Sequence, residues 1–307
     1  MVAVWIALRC IGVAQPSQTA SSPSSSLSDT NAIAELEKLQ AAEDAAQAEV
    51  DKWIRQNKEP KPSGTAISEA ELDKKISVRF QPIRKGYEDF LSLHPAAARA
   101  HFAYGNFLND RQDERGAQSQ WERALELDPT NSAIYNNLAG RYSESGPVNK
   151  ALEYFAKAIE LSPKEAAFYH NFGDSLYVLR KQAAVYYGIN EQQVYGRALL
   201  LYSNALRLDP QNFDFARDFA QTYYSLKPLP VTDALQAWTN ALGIAHEEPD
   251  REDACVHLAR IKMLAGSFAE ARTQLSVVTN EACLKAKTNL LHNLDEREKA
   301  QASRNGP

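Results

Sequence analysis

The chain has 307 residues, 44% of them hydrophobic and 24% charged, a composition typical of a soluble globular protein that excludes a wholly disordered one. Its 34 Lys and Arg residues against 39 Asp and Glu residues leave a net charge of −5, with no long basic run. That balance argues against a general binder of nucleic acid or of anionic membranes.

Residues 1–14 are predicted to be a secretory signal peptide, because the apolar run VAVWIALRCIGVA ends in the small residues Gly12 and Ala14. The chain would then be exported, to the periplasm or outside the cell. Arg9 interrupts the run, and the alternative is a misassigned start and a cytoplasmic protein. The run is too short to cross a bilayer, so no stable membrane span is expected.

Residues 15–31 are rich in Ser and Pro and are predicted to be a disordered leader. Helix-forming residues with a stripe of apolar positions then predict a helix from Ala32 to Lys58. Glu43 and Gln47 interrupt a coiled-coil seam, so this helix is expected to dock on the next domain. The segment 32–92 is predicted to hold N-terminal helices and a degenerate half-repeat.

The next part of the chain contains a repeat of 34 residues. Pro95, Pro129 and Pro163 are each 34 residues apart, and each comes after a Leu-x pair; a further LDP ends at Pro210. Each unit pairs small residues with an aromatic residue at fixed offsets. In the first two units these positions are Gly105, Ala117, Trp121 and Ala124, and then Ala139, Ala151, Phe155 and Ala158. Small residues let two antiparallel helices approach closely, and the proline ends the second helix.

This pattern resembles the tetratricopeptide repeat. The resemblance implies an all-α fold, a right-handed α-solenoid of stacked antiparallel helix pairs, over residues 93–303. The repeats are placed near 98–131, 132–165, 166–212, 213–248 and 252–281, followed by a capping helix.

The third repeat carries a 13-residue insertion, the excess of the 47 residues between Pro163 and Pro210 over 34. Gly188 and the Asn190/Gln193 pair predict a helix end and a helix start, so a hairpin with two lengthened helices is expected at 177–195. Its aromatic residues Tyr186, Tyr187 and Tyr195 either hold the two helices together or contact a partner.

The resemblance also implies a binding groove lined by the first helix of each repeat. The residues placed there are Arg99, Asn106, Asn136, Asn137, His170, Asn171, Asp174, Arg217 and Arg260. Asn137 and Asn171 share one repeat position, which resembles the asparagine ladder of O-linked N-acetylglucosamine transferases; the alternative is hydrogen bonding between repeats. The family's carboxylate clamp is excluded, because its cationic positions hold Phe102, Ala167 and Asn171.

Cys255 and Cys283 are predicted either to form a disulfide in an exported protein or to remain free core thiols. The six histidines are scattered, and no phosphate loop, zinc-protease motif or nucleophile elbow occurs, so no catalytic residue, metal site or cofactor is predicted. The expected function is a non-catalytic scaffold or adaptor that binds a protein or an extended peptide. The alternatives are a structural subunit of a larger envelope assembly, contacting through the 177–195 hairpin, and, more remotely, an enzyme with an unrecognised site.

Overall fold

The computed structural model describes residues 30–58 and 67–304, and each regular element in those two ranges is helical, which confirms the all-α class. The predicted signal peptide and almost all of the predicted leader lie outside the described residues. The helices are α1 (Thr30–Lys58), α2 (Glu69–Leu93), α3 (Ala98–Asp110), α4 (Glu114–Leu127), α5 (Ser132–Ser145), α6 (Val148–Leu161), α7 (Ala166–Val178), α8 (Arg180–Tyr187), α9 (Glu191–Leu208), α10 (Phe213–Thr222), α11 (Val231–Ile244), α12 (Glu248–Leu264), α13 (Phe268–Ser276) and α14 (Glu281–Arg304).

The chain divides into two compact units, an N-terminal unit up to residue 141 and a C-terminal unit from residue 142, so that the division falls inside α5. Each predicted repeat from 98 to 281 begins with one helix and ends with another. The repeat and domain boundaries proposed from the sequence remain predictions.

In the N-terminal unit, α1 docks along α2 and buries Leu36, Ala46 and Val50. Glu43, which interrupts a coiled-coil seam, accepts a hydrogen bond of 2.6 Å from the hydroxyl of the fully buried Tyr87. The polar residue Glu43, which argues against a coiled coil, therefore joins α1 to α2 through a hydrogen bond.

Helices α3 and α4 form a close antiparallel pair around Gly105. A Cβ atom at this position would overlap the indole of Trp121, which is 2% exposed. Asp113 starts α4 by accepting a hydrogen bond from the backbone N–H of Gly116 at 3.1 Å. The small and aromatic positions of the repeat pattern thus meet in space.

The C-terminal unit repeats this arrangement in α7 and α9, where a Cβ atom on Gly173 would lie 2.8 Å from the ring of Tyr202. The insertion agrees with the prediction of two lengthened helices for the second helix, α9, which has 18 residues against 14 in α4 and α6, but not for the first. The first helix ends at Val178, and after Leu179 the chain continues as the separate helix α8. Helix α8 packs against α6 and α9, two helices that α7 also contacts.

The ends of α8 and α9 follow the predicted local signals. Gly188 ends α8 in the left-handed conformation at φ 64°, which favours glycine. Asn190 and Gln193 form a reciprocal capping box at the start of α9.

The remaining helices bury two apolar clusters. One surrounds Trp238 between α10, α11 and α12, and the other joins α12 and α13 to Leu290 and Leu294 of α14. The C-terminal helix therefore covers the apolar surface of the last helix pair, as a capping helix does.

Candidate functional site

A set of polar residues in the C-terminal unit lies on α7, α10 and α12, the first helices of the third, fourth and fifth predicted repeats, and on the 3-10 turn Tyr223–Ser225 that follows α10. We call this set the first-helix face. Its members are His170, Asp174, Arg217, Asp218, Tyr224, His257 and Arg260. All are buried or half-buried, so each side chain is held in place by its neighbours while keeping some contact with solvent.

His170 connects α7 to α10. Its Nε2 atom lies 2.9 Å from Oδ2 of Asp218, and its Nδ1 atom lies 3.5 Å from Oδ2 of Asp174, one turn along its own helix. The imidazole stacks on Phe215 with ring centroids 4.5 Å apart. His170 is therefore fixed in orientation, with a carboxylate at each ring nitrogen.

Both carboxylates are also held from the far side. The hydroxyl of Tyr202 donates to Oδ1 of Asp174 at 2.6 Å, and Nε of Arg217 donates to Oδ1 of Asp218 at 3.3 Å. The two Oδ2 atoms therefore remain directed at the histidine.

The electrostatics of this cluster depend on burial and on the close charges. Burial raises the pKa of Asp174 to about 6, against the opposing effects of His170 and the Tyr202 hydroxyl. Burial alone would lower the pKa of His170, but the hydrogen bond to Asp218 and the charges of both aspartates outweigh it and raise that pKa.

A second group joins α12 to the end of α10. His257 stacks on Trp238 with ring centroids 4.1 Å apart and an interplanar angle of 3°. The Tyr224 hydroxyl lies 3.1 Å from Nδ1 of His257, and the guanidinium of Arg260 lies over the Tyr224 ring at 5.7 Å. Burial, together with the charges of Arg260 and Arg217, lowers the pKa of His257 to about 3.

The asparagines predicted to line a groove in the N-terminal unit make hydrogen bonds within the fold. Oδ1 of Asn106 accepts one from Nδ2 of Asn137 and one from the Trp121 indole, both at 2.9 Å. Nδ2 of Asn136 donates to Oδ1 of Asn137 at 3.3 Å. This geometry matches the alternative reading, hydrogen bonding between repeats, at these positions.

Other predicted groove residues have different surroundings. Arg99 pairs with α1, its guanidinium lying 3.8 Å from Oε1 of Glu37 and 3.5 Å from Oε1 of Gln40. Asn171 is 6% exposed. The structure does not bring Arg99 into a shared cluster with Asn106 and Asn137.

The aromatic residues of the hairpin divide into two sets. Tyr195 is buried and packs on Tyr177 at 5.4 Å, and Tyr187 lies under the guanidinium of Arg197 at 4.2 Å. Tyr186 is 43% exposed, and the neighbouring Val185 is 84% exposed. Tyr187 and Tyr195 therefore hold the hairpin together. The ring of Tyr186 packs edge-on against Tyr187 at 4.9 Å and its hydroxyl donates to Oε1 of Glu153 at 3.3 Å, so Val185 is the side chain that faces outward.

Cys255 and Cys283, for which a disulfide and two free thiols were the alternatives, are both free thiols in the structure. Sγ of Cys255 accepts a hydrogen bond from Nε2 of Gln274 at 3.0 Å, and Cys283 packs at the edge of the apolar cluster under α14. Each sulfur is thus engaged separately, which matches the alternative of two core thiols.

The sequence analysis placed His170 and Asp174 on the first helix of the third repeat but did not connect Asp218 with them. Asp218 lies 48 residues after His170, and only the stacking of one repeat on the next brings them together. The repeat numbering could have indicated this contact. The residue at position 9 of one repeat lies close to the residue at position 6 of the next repeat, both for Asn106 and Asn137 and for Asp174 and Asp218. Within the described residues, His170, Asp174 and Asp218 are the one group whose ligand atoms, all within 4.8 Å, could hold a metal ion.

The described helices include none that is long and apolar enough to cross a membrane. No protein-family model matches the sequence, and no curated protein matches it. Solved structures do resemble it. PilF of Pseudomonas aeruginosa is 15% identical, with a TM-score of 0.50 over 75% of this chain and 90% of that one.

Two further solved structures match equally well. YrrB, described as a TPR protein with an unusual peptide-binding site, is 15% identical, with a TM-score of 0.50 over 70% of this chain and 97% of its own. PilW, a type IV pilus biogenesis factor, is 18% identical, with a TM-score of 0.50 over 67% of this chain and 87% of its own. At these identities the likeness is one of fold, that of the tetratricopeptide-repeat solenoid.

Proposed function

We propose that this tetratricopeptide-repeat chain is a non-catalytic scaffold that binds a protein or an extended peptide on the first-helix face. The observation that carries the proposal is the continuity of that face across three repeats. His170 contacts Asp218, and Tyr224 contacts His257, so that α7, α10 and α12 present one surface of charged and aromatic groups.

Such a surface suits a peptide because fixed side chains supply both donors and acceptors without an ordering cost at binding. Arg217 is held by Asp214 at 2.8 Å and by Asp218, so its guanidinium is positioned before any partner arrives. The peptide-binding site named for YrrB, which shares this fold, also supports the proposal.

The test is selection of a random 12-residue peptide library on the immobilised full chain, followed by affinity measurement of the enriched peptides. Substituting Arg217→Ala together with Arg260→Ala is expected to weaken binding at least about tenfold, because both cations lie on the face. The matched control is Val277→Ser, which removes an apolar side chain, 58% exposed, away from the face. Peptides that bind the double variant as tightly as the unaltered chain would overturn the proposal.

A second candidate is a structural subunit of a larger envelope assembly that makes contact through the 177–195 hairpin. The observation that favours it is the exposure of Val185, and in part of Tyr186, on α8. PilW, a pilus biogenesis factor with the same fold, is consistent with an assembly role.

The hairpin variant Val185→Ser tests this candidate, because it changes an exposed side chain and leaves the contacts of Tyr186 with Tyr187 and Glu153 in place. In chemical crosslinking in the native extract, loss of one partner with this variant alone would support the assembly role. Loss with Arg217→Ala/Arg260→Ala alone would support binding on the first-helix face instead.

A further inference from the structure

A shallow groove of about 390 Å³ lies between α1 and α2 in the N-terminal unit, whereas the first-helix face belongs to the C-terminal unit. It is lined by Trp53 of α1 and by Glu71, Lys74, Lys75, Val78 and Arg79 of α2. The walls are almost wholly apolar. The aliphatic stems of the long side chains cover them, while the exposed ammonium groups of the lysines remain in water at the rim.

The apolar residues of this groove are not part of the core. Trp121 and Trp238 are 2% and 0% exposed, but Trp53 is only half-buried, and Val78 is 55% exposed. The ammonium of Lys75 lies 3.7 Å from the centroid of the Trp53 ring. Such a cation–π contact is weak at a solvent-exposed site, so an incoming group can displace it. The ring of Trp53 and the side chain of Val78 therefore form an apolar surface that the fold leaves open.

The rim of the groove is positively charged. Residues 74–85 contain five Lys or Arg residues and no Asp or Glu, in a chain whose net charge is −5. Three of these cations are already paired with a carboxylate, in the pairs Arg79–Glu49, Arg84–Asp113 and Lys85–Asp89. Among the described residues, Lys74 and Lys75 have no carboxylate at ion-pair distance. Their charges are therefore available to a partner.

We propose that this α1–α2 groove is a second docking surface, and that it binds an acidic protein segment carrying a bulky apolar side chain. The apolar side chain packs on Trp53 and Val78, and carboxylates beside it pair with Lys74 and Lys75. Charge complementarity of this kind favours the encounter and selects against basic segments. Two available ammonium groups are few for an anionic membrane, which clusters of about four to eight Lys or Arg recognise.

The test is an NMR titration of the ¹⁵N-labelled full chain, at low salt, with an acetylated and amidated peptide of about nine residues. The peptide has Phe at its centre and only Asp or Glu on either side. The indole N–H signal of Trp53 is expected to shift saturably, while the signals of the buried Trp121 and Trp238 stay in place. Replacing the central Phe by Ser should weaken binding at least about tenfold, because the apolar contact is lost. A peptide with Lys in place of the acidic residues should not bind.

The variant Lys74→Glu with Lys75→Glu should weaken binding at least about tenfold, because it reverses the charge of the rim. The matched control is Lys181→Glu with Lys285→Glu, which makes the same change in net charge at two exposed lysines of the C-terminal unit. The control is expected to bind the acidic peptide almost as the unaltered chain does, and circular dichroism should show equal helical content in all variants.

The proposal is overturned if the peptide leaves the Trp53 signal unchanged, if the peptide with central Ser binds as tightly, or if the control loses as much affinity as the Lys74/Lys75 variant. A Trp53 shift with phosphatidylglycerol vesicles but not with the peptide would assign the groove to a membrane and also overturn it. The double variant Arg217→Ala/Arg260→Ala should keep its affinity for the acidic peptide. Loss of affinity in that variant would instead place the acidic peptide on the first-helix face, so the two proposals can fail separately.

Discussion

Oδ1 of Asn106 accepts a hydrogen bond of 2.9 Å from Nδ2 of Asn137, which lies 31 residues later in the chain. The same oxygen accepts the indole N–H of Trp121, so one atom joins two helices of its own repeat to the first helix of the next. In the sequence, asparagine at these positions suggests peptide recognition. In the structure, Asn106 and Asn137 instead pack one repeat against the next.

Replacing Asn106 should therefore cost more stability than replacing Asn137. Asn106→Ala leaves two donors unpaired, those of Trp121 and Asn137, and should lower the free energy of unfolding by roughly 2–4 kcal/mol. Asn137→Ala should cost about 1–2 kcal/mol. Urea denaturation followed by circular dichroism measures both, with the exposed Asn149→Ala as control. Equal stability of Asn106→Ala and the unaltered chain would contradict this account.

The sequence predicts the helix pairs well, because the positions that define the repeat also make the closest contacts. Gly105 against Trp121 and Gly173 against Tyr202 are examples in which a small residue and a ring occupy predicted offsets. Local signals such as the Asn190 capping box likewise predict where a helix starts, since they depend on residues within one turn.

The contacts of the site are less predictable, because they join residues of different repeats. Nothing near His170 in the sequence indicates Asp218, because 48 residues separate the two. The choice between the two alternatives for Asn137 likewise required its distance to Asn106, since the same carboxamide can bind a partner or the neighbouring repeat.

Gly105 and Gly140 should respond in opposite directions to substitution by alanine. A Cβ atom at Gly105 would overlap the rigid indole of Trp121, so Gly105→Ala should destabilise the chain by about 1–3 kcal/mol despite the better helix propensity of alanine. Gly140 has no atom within 4 Å of the corresponding position, so Gly140→Ala should stabilise it by roughly 0.5–1 kcal/mol. Thermal denaturation of both variants compares them directly; a stabilised Gly105→Ala would show that the helices can separate without cost.

His257 should remain neutral in the folded chain at mildly acidic pH. Its pKa is lowered to about 3 by burial and by the charges of Arg260 and Arg217, while an unfolded chain keeps the ordinary value near 6.5. Unfolding therefore takes up a proton below pH 6.5. The resulting stability is present above that pH and falls by up to about 1.4 kcal/mol per unit as the pH drops towards 3.

His257→Phe keeps a ring on Trp238 and removes the titrating group, so its stability should depend less on pH between 6.5 and 4 than that of the unaltered chain. Urea midpoints across this range measure the slope, and the ¹³Cε1 shift of His257 reports its protonation directly in metal-free buffer. An imidazolium signal at pH 5.5, or identical slopes for the two proteins, would show that the fold does not hold His257 neutral.

Glu252 should contribute stability at neutral pH by fixing the segment between α13 and α14. Its carboxylate accepts the backbone N–H of Thr279 at 2.8 Å, the Thr279 hydroxyl at 2.9 Å and the backbone N–H of Asn280 at 2.6 Å. Burial raises the pKa of Glu252, but these bonds from Asn280 and Thr279 outweigh it and lower the pKa below its ordinary value.

Because the folded pKa lies below the unfolded one, this stability is present above about pH 4.5 and is lost as the pH falls through the folded value. Glu252→Gln places an amide N–H₂ against N–H donors, so it should lower the Tm at pH 7 and speed amide exchange at Thr279 and Asn280. The Tm difference from the unaltered chain should shrink as the pH falls below about 4.5, because the stability from the charged carboxylate is lost on the way through the lowered folded pKa. Glu296→Gln, which changes an exposed carboxylate of α14 paired with Lys299, should leave the Tm nearly unchanged. If the Tm difference between the two proteins did not shrink at all with falling pH, the effect would be due to packing, and the charge of Glu252 would have no part in holding α14.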